Sequence, residues 1–236
     1  MSFLTAEWRK LAIFNYEVDP VVLLPHIPKG TELDLWQGKC YVSVVGFMFQ
    51  NTKILGVKVL NHVNFEEVNL RFYVKRKVDE EWRRGVVFIK EIVPRWALSF
   101  VANTVYGEHY ETLPMEHEWQ KSDGQLTVCY RWKLQNAWQC ISVTAEEYPV
   151  PIGPDSEAEF ITEHYWGYSK VSEDKTNEYQ VTHPRWMHYP VLSYETNFDF
   201  GLNYGSEFVF LNSVQPTSVQ LAEGSKITVE SKKTLK

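Results

Sequence analysis

Polar and apolar residues alternate along much of the chain. From Glu67 to Lys75 one face carries Glu67, Asn69, Arg71, Tyr73 and Lys75, and the other carries Val68, Leu70, Phe72 and Val74. From Leu126 to Lys133 the same period separates Leu126, Val128, Tyr130 and Trp132 from Thr127, Cys129, Arg131 and Lys133. A period of two belongs to the β-strand, whose successive side chains point to opposite faces. Runs rich in Val, Ile, Tyr, Phe and Trp predict further strands near 39–49, 53–63, 84–93, 105–113, 138–147, 164–171, 177–183 and 207–212. Asp123-Gly124 lies between two such runs and predicts a hairpin, because a tight turn needs the positive φ that glycine tolerates.

Helical signals are few and short. Asp19-Pro20 before Val21-Val22-Leu23-Leu24 supplies an N-cap acid and an N1 proline, and Pro28 and Gly30 mark the end. A second helix is predicted from Pro94 to about Asn103, with Trp96, Phe100 and Val101 at helical spacing. A third is predicted over about 156–162, where Glu157 and Glu159 in the first turn suit the helix dipole. The result is a mainly β chain with a few short helices. Neither a linker nor a composition break divides it. It reads as a single domain over 1–236, with a core at about 5–212 and a C-terminal extension at 213–236 whose basic end is expected to fray.

Composition narrows the function classes. The 236 residues include 35 aromatic ones, and the formal charge is −6. Mild acidity argues against nucleic acid, whose binders cluster Lys and Arg to displace counterions. The longest apolar stretches fall far short of the ~20 residues that cross a bilayer, and no signal peptide is visible at the N-terminus. Cys40, Cys129 and Cys140 form no Cys-x-x-Cys pair. Three thiols without a framework suit a cytoplasmic location. The seven histidines form no metal-ligand pattern, and no P-loop or Gly-x-Gly-x-x-Gly fingerprint occurs. Neither a metal nor a cofactor is expected.

Three places can carry chemistry. The face of Glu67, Asn69 and Arg71 either looks out to solvent from an antiparallel sheet or lines a barrel interior around a ligand. Pro94-Arg95-Trp96 sits at a predicted strand-to-helix junction. There the Arg95 guanidinium beside the Trp96 indole either clamps a carboxylate or stacks exposed on the ring. Glu163-His164 and His183-Pro184-Arg185-Trp186 could bring an acid and a histidine together as an acid–base pair, or could serve as structural hydrogen-bonders.

Three segments together resemble the YqjF-like proteins, a bacterial family classed as a domain of unknown function. They are Phe65-Glu66-Glu67-Val68-Asn69-Leu70-Arg71-Phe72-Tyr73-Val74; Gly85-Val86-Val87-Phe88 leading to Pro94-Arg95-Trp96-Ala97; and Phe160-Ile161-Thr162-Glu163-His164-Tyr165. The resemblance spans about residues 5–212 and extends to the acetoacetate decarboxylase-like superfamily. It implies a closed or partly closed antiparallel β-barrel, or β-cone, with an internal cavity. Acetoacetate decarboxylases carry adjacent lysines after a proline, one of which forms a Schiff base. Arg95 and Trp96 occupy the corresponding positions here, and arginine keeps its proton. Lys90 lies upstream on the strand and is a poor substitute. Glu67 matches a glutamate of the decarboxylase pocket.

Two functions follow as expectations. One is a module that binds a small organic ligand, carboxylate-bearing, without Schiff-base decarboxylation. Arg71 and Arg95 would be its anion contacts and Glu67 its orienting acceptor. Asn69, Tyr73, Trp96, Glu163, His164, His183 and Trp186, together with Trp166, would line the site. The alternative is a lyase or hydrolase for a small keto or enol compound, with Glu67 as acid or base and Arg95 as electrophilic stabiliser. The expected partner is that small molecule, with neither nucleic acid nor membrane, and a homo-oligomer is left open.

Overall fold

The computed structural model describes residues 2–58, 63–94 and 109–235. Its strands run in chain order as β1 (Ser2–Glu17), β2 (Glu32–Leu33), β3 (Tyr41–Ile54), β4 (Phe65–Val78), β5 (Glu81–Val93) and β6 (Tyr110–Thr112). They continue as β7 (Met115–Ser122), β8 (Gln125–Leu134), β9 (Ala137–Glu146), β10 (Val150–Pro151) and β11 (Trp166–Ser172). The last are β12 (Lys175–Thr182), β13 (Met187–Tyr189), β14 (Val191–Asn197), β15 (Ser218–Glu230) and β16 (Lys233–Leu235). No helix among the described residues is long and apolar enough to cross a membrane.

Hydrogen bonds pass from β1 to β3, β4, β5, β11, β12, β15 and back to β1, which makes a ring within the larger sheet. Two seams are narrow. Strands β5 and β11 meet in parallel at Trp166↔Gly85 and Gly167↔Val86, and β12 meets β15 at Val181↔Val229 and Thr182↔Thr228. The ring is therefore partly closed. The parallel β5–β11 and β5–β6 pairings depart from the antiparallel expectation. A second sheet, ordered β14-β9-β8-β7, covers one outer face of the ring strands.

Two cores result. The first lies between the sheets, where Ala12, Val44, Leu70 and Phe72 pack with Val128, Tyr130, Ile141 and Val143. The second lies inside the ring and holds Ile13, Val45, Phe47, Phe65, Tyr73, Val86 and Val181. Strand β4 belongs to both, so its polar face as well as its apolar face is buried. The solvent-facing alternative for Glu67, Asn69 and Arg71 is thereby excluded.

Local signals behave as their chemistry requires at several points. Asp123 and Gly124 both take positive φ, 53° and 75°, and join β7 to β8. Asp19 accepts from the Val21 amide at the start of a 3₁₀ helix, Pro20–His26. Ser156 caps helix Glu157–Thr162. Elsewhere the pattern misled. Residues 207–212 are not a strand but part of the 3₁₀ helix Ser206–Ser213, in which Phe208 and Leu211 are buried three residues apart. That spacing is the 3₁₀ repeat. Strand β1 has no clean alternation because Leu11, Ala12, Ile13 and Phe14 are all buried, two toward each core. The C-terminal segment 213–236 supplies β15, which pairs with β1 from Asn15↔Ser218 to Ser2↔Glu230. It belongs to the core rather than fraying from it. The predicted helix at 94–103, beyond Pro94, and residues 105–108 of the predicted strand at 105–113 lie outside the described residues, and Tyr110–Thr112 of that strand form β6.

Gly85 shows what the parallel seam demands. A Cβ there would lie 2.6 Å from the Trp166 carbonyl oxygen and 2.7 Å from the Tyr168 ring. Backbone cannot retreat without opening a seam that has two residue pairs. Gly85→Ala is therefore expected to destabilise the fold by roughly 1–3 kcal/mol, as overpacking does elsewhere. Urea denaturation checks this, and an unchanged midpoint would contradict the account of the seam.

Candidate functional site

Inside the ring is a cavity of about 130 Å³. Its polar lining consists of Glu67, Asn69 and Arg71 of β4, Glu91 of β5, Tyr110 of β6, His164 before β11 and Tyr179 of β12. Trp8, Phe47, Phe49, Phe65, Phe88 and Trp166 form much of the apolar wall. Period-two spacing brings Glu67, Asn69 and Arg71 to one face.

Glu91 reaches the same cavity by a different route. Leu70 pairs with Lys90 but Arg71 pairs with Phe88, so Ile89 is an extra residue on β5. This bulge reverses the alternation. Val86 and Phe88 face inward before it, and Glu91 and Val93 face inward after it. Lys90 turns away instead, and its Nζ lies 3.1 Å from Glu111.

Glu67 accepts a hydrogen bond from Asn69 Nδ2 at 2.9 Å and another from the Tyr110 hydroxyl at 3.4 Å. Burial pushes its carboxyl up from 4.5 to about 7, although Asn69, Tyr110 and the Arg71 charge all pull it down. Desolvation wins because the group is enclosed. Tyr110 also hydrogen-bonds Glu91, and burial followed by the Glu67 and Glu91 charges raises its phenol well above the ordinary value. A phenol has one proton to give. It therefore bridges two carboxyls most favourably when one of them is protonated.

His164 is fixed from behind. Its Nε2 lies 3.1 Å from Asp34 Oδ2, and Arg84 Nε donates to the same oxygen at 2.6 Å. Burial opposes ionisation of Asp34, but the bonds from His164 and Arg84 prevail and hold its pKa below the usual value. Burial lowers His164 to about 4 despite that carboxylate, so its ring is neutral near pH 7. An ionised Asp34 can only accept, which places the His164 proton on Nε2. Nδ1 is then an acceptor, and it has no partner among the described residues. Arg71 Nη2 reaches the Ile161 carbonyl at 3.4 Å, and its guanidinium carbon lies 5.6 Å from the Tyr73 ring centre. Buried atoms of lining residues without a hydrogen-bond partner among the described residues include Trp8 Nε1, Asn69 Oδ1, Arg71 Nε and His164 Nδ1.

The sequence-predicted residues separate into two groups. Glu67, Asn69, Arg71, His164 and Trp166 line the cavity. Tyr73 lies behind it, with its hydroxyl 2.7 Å from Ser43 Oγ and its ring 4.8 Å from that of His164. Glu163 takes a short hydrogen bond from Tyr165, so His164 pairs with Asp34 rather than with a neighbouring glutamate. His183 stacks on Trp186 at 4.2 Å. Trp186 donates to Ser225 Oγ at 2.9 Å and meets Trp8 edge-on at 6.3 Å. Neither His183 nor Trp186 reaches the lining. Arg95 and Trp96 lie outside the described residues. Glu91, Tyr110, Tyr179, Asp34 and Arg84 were missed, and the alternation on either side of Glu91 points away from its true direction.

Comparison with solved structures places this architecture in the acetoacetate decarboxylase-like fold. The acetoacetate decarboxylase of Legionella pneumophila subsp. pneumophila superposes with a TM-score of 0.68 at 13% identity, covering 99% of this chain and 87% of that one. The enduracididine biosynthesis enzyme MppR gives 0.70 at 13%, covering 100% and 91%. An acetoacetate decarboxylase-like enzyme from Sphingomonas wittichii RW1 gives 0.67 at 10%, covering 100% and 94%. At such identities the likeness is one of fold. The chain belongs to the DUF2071 family, described as an uncharacterized conserved protein, whose pattern matches residues 5–226. No curated protein matches it.

The two cavity groups leave opposite marks on stability. Glu67 binds its proton more tightly in the folded chain, so its contribution is complete below about pH 4.5 and is lost as pH rises through about 7. The His164 contribution is present above about pH 6.5 and is lost as pH falls through about 4. Glu67→Gln keeps an acceptor for Asn69 and cannot ionise. It should gain on the order of 1–3 kcal/mol relative to wild type between pH 4.5 and 8. Urea unfolding across that range checks it, and parallel curves would contradict the burial of an ionisable Glu67.

Proposed function

We propose that the cavity binds a small organic monocarboxylate, held by Arg71 and oriented by Glu67. The observation that carries this reading is the presence of both groups in the lining of one apolar-walled space. A guanidinium offers a carboxylate a flat fork of donors, and the Arg71 Nε–H is a donor with no partner among the described residues. Near neutrality Glu67 can carry a proton and donate a hydrogen bond to a bound carboxylate rather than repel it. Neutral His164 presents Nδ1 as an acceptor. Arg95, next to Pro94, enters the proposal on sequence alone as a second anion contact.

Schiff-base decarboxylation has no part in this reading. No lysine lines the cavity among the described residues, and the stretch 95–108 contains none. Arginine cannot supply the free amine that attacks a ketone. One MppR structure is complexed with pyruvate, which supports testing acids of that class.

A second reading draws support from Glu67 itself. A carboxyl poised near 7 beside a phenol suits general acid–base work on a keto or enol compound, because an acid–base catalyst is most effective when its pKa lies near the operating pH. Exchange of the α-protons of keto acids in D2O separates the two readings. Loss of exchange in Glu67→Gln would favour the enzyme, and the absence of exchange in wild type favours the binding module.

Titration calorimetry with pyruvate and related monocarboxylates tests binding. Arg71→Met should weaken affinity by roughly 10–100-fold, the worth of one charged hydrogen bond. Unchanged affinity would remove Arg71 from the site. Incubation with keto acids and borohydride should leave the mass of the protein unchanged, whereas a covalent adduct would overturn the exclusion of Schiff-base chemistry.

A further inference from the structure

The cavity wall is largely apolar, and its lining follows β4 from Phe65 to Arg71, so a two- or three-carbon acid leaves much of it unused. We propose that it takes an aryl-bearing monocarboxylic acid, with the carboxylate toward Arg71 and the ring beside Trp8, Phe49 and Phe65. The inference rests on the reading of Arg71 given above and extends it to the other end of the cavity.

The two ends are set by one strand. Phe65, Glu67, Asn69 and Arg71 follow one another on the inward face of β4. At ~3.3 Å per residue, Phe65 and Arg71 start roughly 20 Å apart at their Cα atoms before the side chains reach in. An acid the size of pyruvate can touch one end or the other. Only a longer molecule contacts both.

The far end is aromatic across three neighbouring strands. Trp8 of β1 meets Phe47 of β3 at 5.4 Å with 64° between the rings, and Phe49 at 5.9 Å with 86°. Phe49 in turn stacks on Phe65 of β4 at 4.6 Å. These edge-on and stacked pairs are the geometries that rings adopt with one another. A guest ring can extend the cluster in the same way, displacing poorly held water from an apolar wall. The carbonyl that a Schiff base would require contributes nothing to this recognition.

The test compares wild-type affinities for acetate, pyruvate, 3-phenylpropionate, 5-phenylpentanoate, octanoate and 3-phenylpropanamide. The phenyl acids should bind roughly 10- to 100-fold more tightly than acetate or pyruvate, from burial of the ring. Trp8→Leu and Phe49→Leu should weaken the phenyl acids by more than they weaken pyruvate, so that the preference for the ring shrinks or disappears. Pyruvate binding as tightly as the phenyl acids would overturn the aryl assignment and leave the carboxylate reading standing. Octanoate matching 5-phenylpentanoate would also overturn it, as would equal binding of 3-phenylpropanamide, which lacks the charge. If no acid binds and Arg71→Met changes nothing, the carboxylate reading fails and takes this inference with it.

Discussion

A carboxyl group enclosed within a ring of strands is the constraint on which the rest of this structure depends. Glu67 is buried because β4 has no exposed face: its apolar side is sealed by the second sheet and its polar side by the ring. Burying an ionised carboxylate is costly unless partners compensate or a proton is taken up. Here both occur, with Asn69 and Tyr110 donating hydrogen bonds and the pKa rising to about 7. The cavity is a place where polar chemistry is kept under strong electrostatic pressure.

That pressure organises the neighbours. Tyr110 stands between two carboxyls, and its proton can serve only one at a time. On the other side, Asp34 and Arg84 settle the tautomer of His164 from outside the cavity and leave Nδ1 as an acceptor. Arg71 Nε and Asn69 Oδ1, which have no partner among the described residues, add a donor and an acceptor. Buried polar atoms are normally paired, and the proposed ligand would supply partners for the several around this space that have none among the described residues.

Part of this was legible in the sequence, and the limits have physical causes. Alternation on β4 identified Glu67, Asn69 and Arg71 because a flat strand obeys a period of two. The same rule points Glu91 the wrong way, since a single extra residue at Ile89 reverses direction and leaves no local signal. The Asp34–His164 pairing spans 130 residues and follows only from closure of the ring. Strand β1 escaped notice because both its faces are buried, which removes the alternation that identifies a strand. Phe208 and Phe210 alternate like a strand, yet Phe208 and Leu211 are the buried pair, which a 3₁₀ turn requires. Resemblance supplied the internal cavity, whereas the ring's partial closure became visible only in its two narrow seams.

The central claim is that Glu67 is an enclosed carboxyl that changes charge near neutral pH. A ¹³C NMR titration of the glutamate side-chain carboxyls, with Glu67 assigned by its loss in Glu67→Gln, reads this directly. The account predicts one carboxyl with a midpoint near 7, absent from the variant. A Glu67 signal that titrates near the ordinary 4.5 would contradict it.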